Sequence, residues 1–147
     1  MVAPYDEPRI SVNDTIIRRI NPEQHVVPDD NRNCYRISSK AYSTSSGPTG
    51  GMSVDVEALI VADDIDPQQW VTTPVFTGSV AFDSNAIRAL NLWIGYDPIR
   101  DAPGQPDNPY HGEVWSATGA ANFTRGQKNG LARAARWYVT IPNVELI

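Results

Sequence analysis

Short apolar runs, each closed by a chain breaker, set the limits on what this chain can fold into. Residues 15–20 (Thr-Ile-Ile-Arg-Arg-Ile) are β-rich and stop at Asn21-Pro22. Residues 28–33 are turn-rich, and 34–37 (Cys-Tyr-Arg-Ile) suit a strand. Residues 92–96 (Leu-Trp-Ile-Gly-Tyr) read as a strand closed by Asp97-Pro98, and 112–117 as another. Residues 75–82 have strand composition around Gly78, and 137–142 end in Ile141-Pro142. The helical signals are equally short. Ser53 heads an expected helix over 53–61, and Asp66-Pro67 reads as N-cap and first helical residue of a single turn. Asp83 or Ser84 caps a helix carrying Ala86, Ile87, Ala89 and Leu90, with Asn91 closing it in the left-handed conformation. A last helix runs from Thr124 as N-cap to Arg136. Leu131, Ala134 and Ala135 share one of its sides, and Arg125, Lys128, Arg133 and Arg136 the other. Strands and helices mix without regular βαβ alternation. The expected fold is therefore α+β: one compact domain with a mainly antiparallel sheet and two or three short helices.

Within that single domain, residues 1–14 are polar and proline-bearing and read as a flexible arm, and 43–51 (Ser-Thr-Ser-Ser-Gly-Pro-Thr-Gly-Gly) as a mobile loop. At 147 residues the chain is long enough for a core without staples. A lone cysteine, Cys34, excludes an internal disulfide and any multi-cysteine zinc cluster. No apolar run reaches the ~18–20 residues of a membrane span, and the first residues lack a signal peptide's order. A soluble cytoplasmic protein is the default expectation.

The net charge of −5 is unevenly spread. Residues 1–40 balance, 41–123 hold ten acidic against two basic side chains, and 124–147 hold four basic against one acidic. An acidic middle argues against a broad nucleic-acid surface and leaves the last helix as the one place for such a contact. Charge pairing between the basic end and the acidic middle is the plainer reading of the same pattern.

Arg36-Ile37-Ser38-Ser39-Lys40-Ala41-Tyr42, Gly51-Met52-Ser53-Val54-Asp55, Gly95-Tyr96-Asp97-Pro98 and Asn108-Pro109-Tyr110-His111-Gly112-Glu113-Val114 occur in an order and spacing that resemble a family of small uncharacterised bacterial proteins. The resemblance spans about Asp14 to Asn143. It implies a bacterial, cytoplasmic, single-domain protein and carries no activity or cofactor.

Two constellations could carry chemistry. His111 and Glu113, two apart in a strand, point to one face, with Tyr110 and Trp115 at the rim. Imidazole and carboxylate move protons near neutral pH, so they are the candidate catalytic pair. A metal would need one or two further ligands from His25, Asp97, Asp101 or Asp107, none at a recognisable spacing, so no metal is assigned. Arg36 with Ser38 and Ser39 offers a guanidinium fork and hydroxyls for an anion. Tyr35-Arg36 followed by Ser-Thr-Ser at 43–45 is faintly similar to the NAD-handling ADP-ribosyltransferases, but the two pieces lie too close for that family's separate strands. Arg125, Lys128, Arg133 and Arg136 form the candidate contact for phosphate or an acidic partner. With no reaction signature, the expectation is a non-catalytic binding or accessory module that docks to a protein partner or a small ligand, without a membrane. The four tryptophans, Trp70, Trp93, Trp115 and Trp137, read as candidate interface anchors. The alternative is a small hydrolase or nucleotide-handling enzyme using His111 and Glu113, with Arg36 as anion clamp.

Overall fold

Strand β1 (Thr15–Ile20) has isoleucines on both faces, and that places it inside the sheet. Ile16 and Ile20 enter the larger hydrophobic core and Ile17 a smaller one on the opposite side, all three fully buried. The computed structural model describes residues 2–45 and 50–146, so part of the expected loop over 43–51 lies outside the described residues.

After β1 come α1 (Pro22–His25), β2 (Val26–Asp29), β3 (Cys34–Ile37) and a 3-10 turn (Ser39–Tyr42). Then follow β4 (Met52–Val56), α2 (Glu57–Ala62), α3 (Pro67–Val71), β5 (Gly78–Asp83), α4 (Ser84–Arg88) and β6 (Leu92–Tyr96). The chain closes with β7 (His111–Ser116), α5 (Arg125–Ala134), β8 (Arg136–Val139) and β9 (Val144–Glu145). Six strands form one sheet in the order β6-β7-β4-β1-β5-β8, and every neighbouring pair is antiparallel. A second sheet orders β2-β3-β9, with β3 and β9 parallel. This is the expected α+β class.

The larger core is built from Val54, Val56, Phe82, Ile94 and Val114 of the sheet with Tyr42 of the 3-10 turn and Leu131 of α5. The smaller core joins Ile17 to Ile60, Val71 and Tyr110 under α2 and α3. The sheet thus separates two environments, and alternation along each strand decides which one a side chain enters.

Several local signals act as read. Asp66 accepts from the Gln68 amide ahead of Pro67, and Asn91 takes φ 61°. Thr124 and Gln127 form a reciprocal capping box at the start of α5. Gly130, a cost in an isolated helix, is required by packing: a Cβ there would lie 2.4 Å from Leu90. Residues 2–14 form no helix or strand but dock along β6, where the Glu7 amide donates to the Ile94 carbonyl at 2.8 Å and Ile10 is buried.

Several boundaries shift, β5 starting only at Gly78 and β8 ending at Val139, and two stretches change element type. The helix expected over 53–61 is a strand, β4, followed by a helix that starts only at Glu57. Alternation of buried Val54 and Val56 with Ser53 wins, because β4 is flanked by β1 and β7 and its backbone groups are consumed by the sheet. The last helix stops at Ala134, and Arg136 belongs to β8, pairing with Asp83 at 3.1 Å. Pairing with β5 captures the chain there.

His25 adds a pH dependence. Its ring is buried at the end of α1, and Nδ1 accepts from the Asn21 amide at 3.0 Å. Burial, with the Arg18 charge added, holds its pKa down at about 4 against the usual 6.5. The folded state favours the neutral ring. Its stability is therefore complete above pH 6.5 and is lost as pH falls toward 4. Allowing for solvent at the ring edge, the loss is about 2 kcal/mol. Urea melts at both pH limits should show the wild type losing this amount relative to His25→Gln. Equal losses in the two proteins would assign the acid limb to other groups.

Candidate functional site

Two places gather the polar side chains of interest, on opposite faces of the six-stranded sheet. The first is a groove where β3, the 3-10 turn and α5 meet. Ser38 caps the turn by accepting from the Lys40 amide at 3.2 Å, and it is itself buried. Ser39, next in the chain, is exposed and lines the groove with Arg36, Tyr42, Lys128 and Asn129. The groove has a volume of about 310 Å³. A hollow of about 340 Å³ continues it along Ser39, Lys128 and Asn129 to Arg125 at the start of α5. Packing of α5 on the 3-10 turn thus brings Arg36 and Ser39 beside Arg125 and Lys128. The sequence offered these as two separate anion candidates.

The groove is rich in donors. Asp29, the one lining carboxylate among the described residues, sits 3.6 Å from Arg36 in a loose pair. Tyr42 is buried against Phe82, edge to face at 6.0 Å, and its hydroxyl has no hydrogen-bond partner among the described residues. Burial pushes this phenol up to about 12, so it stays protonated and able to donate. A buried hydroxyl without a partner carries a free-energy cost unless something supplies an acceptor. Arg133 is exposed on α5 outside the groove lining, and Arg136 is committed to Asp83.

The second place is on β7. Register sets Glu113 between Ser53 of β4 and Gly95 of β6, and His111 opposite Asp55. His111 and Glu113 share the face that carries Ile17 and Asp55, as their two-residue spacing requires. His111 Nε2 lies 3.6 Å from Glu113 Oε1, and its Nδ1 is 2.6 Å from the Asp97 carbonyl. That carbonyl can only accept, so Nδ1 carries a proton and Nε2 is the nitrogen that faces Glu113. Asp97, at the end of β6, adds its carboxylate, and one ligand atom from each of the three residues lies within 4.8 Å of the others. Burial pushes the Glu113 carboxyl up; His111 opposes the shift and the Asp97 charge adds to it.

The cluster is closed in. His111 is 7% and Glu113 9% exposed. Tyr5 from the docked arm packs on Trp115 at 6.1 Å and covers Gly95, and Gly51 closes against Glu113 and Trp115. Trp115 is a wall of this enclosure, while Tyr110 turns away into the smaller core and donates to Asp63 at 2.7 Å. Arg36 cannot clamp a reactant at His111, because the sheet lies between them. Of the four tryptophans, Trp115 is buried and Trp70, Trp93 and Trp137 are half-buried.

A larger hollow, about 720 Å³, lies beside Cys34, lined by turn residues and by Asp29, Asp30 and Glu145. Its carboxylates suit it poorly to an anion, and burial pushes the Cys34 thiol up, away from the reactive thiolate.

Sequence reasoning missed Tyr42 and Asn129 in the groove, and it offered Asp97 for the cluster without selecting it from His25, Asp101 and Asp107. An alternating pattern cannot say which distant strand end faces which. No family model, curated protein or solved structure matches this chain. No helix among the described residues is long and apolar enough to cross a membrane.

Proposed function

We propose that this protein is a non-catalytic binding module that takes a phosphate-bearing small ligand in the groove of Arg36, Ser39, Tyr42 and Lys128. The observation that carries the reading is a groove of about 310 Å³ lined by Arg36, Ser39 and Lys128, whose polar side chains among the described residues are mostly donors. Phosphate brings several acceptor oxygens and a charge that Arg36 and Lys128 complement. Arg125 and the continuing hollow leave room for the rest of a nucleotide-sized ligand.

Calorimetric titration with inorganic phosphate and with a nucleoside monophosphate tests this. Both should bind, the nucleotide more tightly. Arg36→Ala and Lys128→Ala should each weaken binding about tenfold or more, as for loss of a charge-assisted hydrogen bond. Tyr42→Phe should leave stability unchanged or slightly raised, since it removes a buried hydroxyl with no partner among the described residues. Absence of binding at ~10 mM ligand, or unchanged affinity in Arg36→Ala and Lys128→Ala, would overturn the proposal.

An enzyme built on His111 and Glu113 is a second reading, favoured by an imidazole held at Nδ1 and the 3.6 Å approach of the two side chains. Against it stands their burial, His111 at 7% and Glu113 at 9% exposed, beside the packed Tyr5 and Trp115 rings.

A further inference from the structure

We infer that Asp97, His111 and Glu113 form a binding site for one divalent transition-metal ion, independent of the anion groove on the opposite face. Three features point to it. The His111 Nε2 to Glu113 Oε1 separation, 3.6 Å, is too long for a hydrogen bond and close to the spacing of two ligands on a common ion. The Nδ1 proton is held by a main-chain carbonyl, the arrangement that aims a ligand imidazole and fixes its tautomer. Among the described residues Glu113 Oε2 is buried with no well-formed hydrogen bond, the Gly51 amide being the backbone donor nearest this carboxylate, in a side chain about nine-tenths removed from solvent. Among the described residues Ser53 Oγ reaches this carboxylate at a long 3.4 Å, at Oε1.

Two carboxylates and a neutral imidazole suit zinc, manganese, iron(II) or cobalt(II); the nitrogen ligand disfavours calcium and magnesium. The space is specified as well. A Cβ on Gly51 would stand 2.9 Å from Glu113 Oε2, and one on Gly95 would strike Tyr5 and Trp115. Asp97 and His111 are the two ends of the proline-rich connection between β6 and β7. An ion between them pins that connection at its base, and the buried enclosure makes the role structural.

The test is titration of metal-stripped protein with Co²⁺ and Zn²⁺, in a Cys34→Ser background so that the thiol cannot compete. One ion per chain should bind, read by native mass and by the visible bands of cobalt. Hydrogen exchange of residues 98–110 should slow on loading. Asp97→Asn and His111→Gln should each weaken binding at least ~10-fold. If His111→Gln fails to fold, Asp97→Asn, at a half-buried strand end, carries the comparison. Failure of both metals to bind folded protein at ~100 µM, or equal affinity in the variants, would overturn the inference. Loss of phosphate binding alone would leave it standing, since the two sites share no residue.

Discussion

Phe82→Ala should remove about 4 kcal/mol of folding stability. Phe82 lies on β5 next to the central strand, is fully buried, and pairs in register with Ile16. Its ring meets Tyr42 edge to face at 6.0 Å, tying the 3-10 turn to the sheet. Truncation loses the transfer free energy of the ring and leaves a cavity that the sheet is too constrained to collapse. An aromatic pair adds about 0.5–1.5 kcal/mol that is lost as well. Against a total of about 5–15 kcal/mol for an ordinary domain, this is a large share. For a domain of this size the melting temperature should fall by roughly 8–16 °C. Urea denaturation read by tryptophan fluorescence gives the direct number. A loss under about 2 kcal/mol with an unchanged urea slope would mean that the core relaxes around the gap and that Phe82 is not its centre.

Asp55→Ala should cost about 3 kcal/mol by a different route. Asp55 is 3% exposed on β4 and is the hub of a polar set. Arg19 approaches both its oxygens, Nε to Oδ2 at 2.9 Å and Nη2 to Oδ1 at 3.2 Å. Asn108 donates to Oδ1 at 2.7 Å, and the Tyr110 amide in turn donates to Asn108 Oδ1 at 3.1 Å. Removing the carboxylate leaves a mostly buried guanidinium without its counter-charge and frees the end of the connection that leads into His111. Arg19 keeps some solvent contact, with 21% of its side chain exposed, and this moderates the cost. The double variant Asp55→Ala with Arg19→Leu should recover part of the loss, because no uncompensated charge then remains. If the double variant is less stable than Asp55→Ala by the full cost of Arg19→Leu alone, the two residues are uncoupled and the account fails. Hydrogen exchange should also rise at residues 98–110 in Asp55→Ala and not in Phe82→Ala.

Much of the fold was legible locally. The β-branched run 15–20, the strand at 34–37 and the Asp97-Pro98 stop behave as they read, because each depends on neighbours a few residues away. The caps at Asp66 and Thr124 and the left-handed Asn91 are equally local. The stretch 53–61 was not legible. Its apolar residues satisfy a helical and an alternating pattern at once, and only the pairing of β4 with β1 and β7 breaks the tie. Arg136 left its helix for the same reason: an open edge of β5 was there to take it.

The candidate sites divide along the same line. The i, i+2 spacing in a strand determined, from sequence alone, that His111 and Glu113 share a face. Composition likewise determined a reserve of basic side chains at 125–136 and a short-element α+β domain. Only the tertiary structure decided that Asp97 completes the cluster, that Arg36 and Ser39 meet Lys128 and Arg125, and that a sheet separates the two places. Pairing register and helix docking join residues many tens of positions apart. They are chosen by burial of whole faces, a property of the assembled layers that no local window of sequence contains.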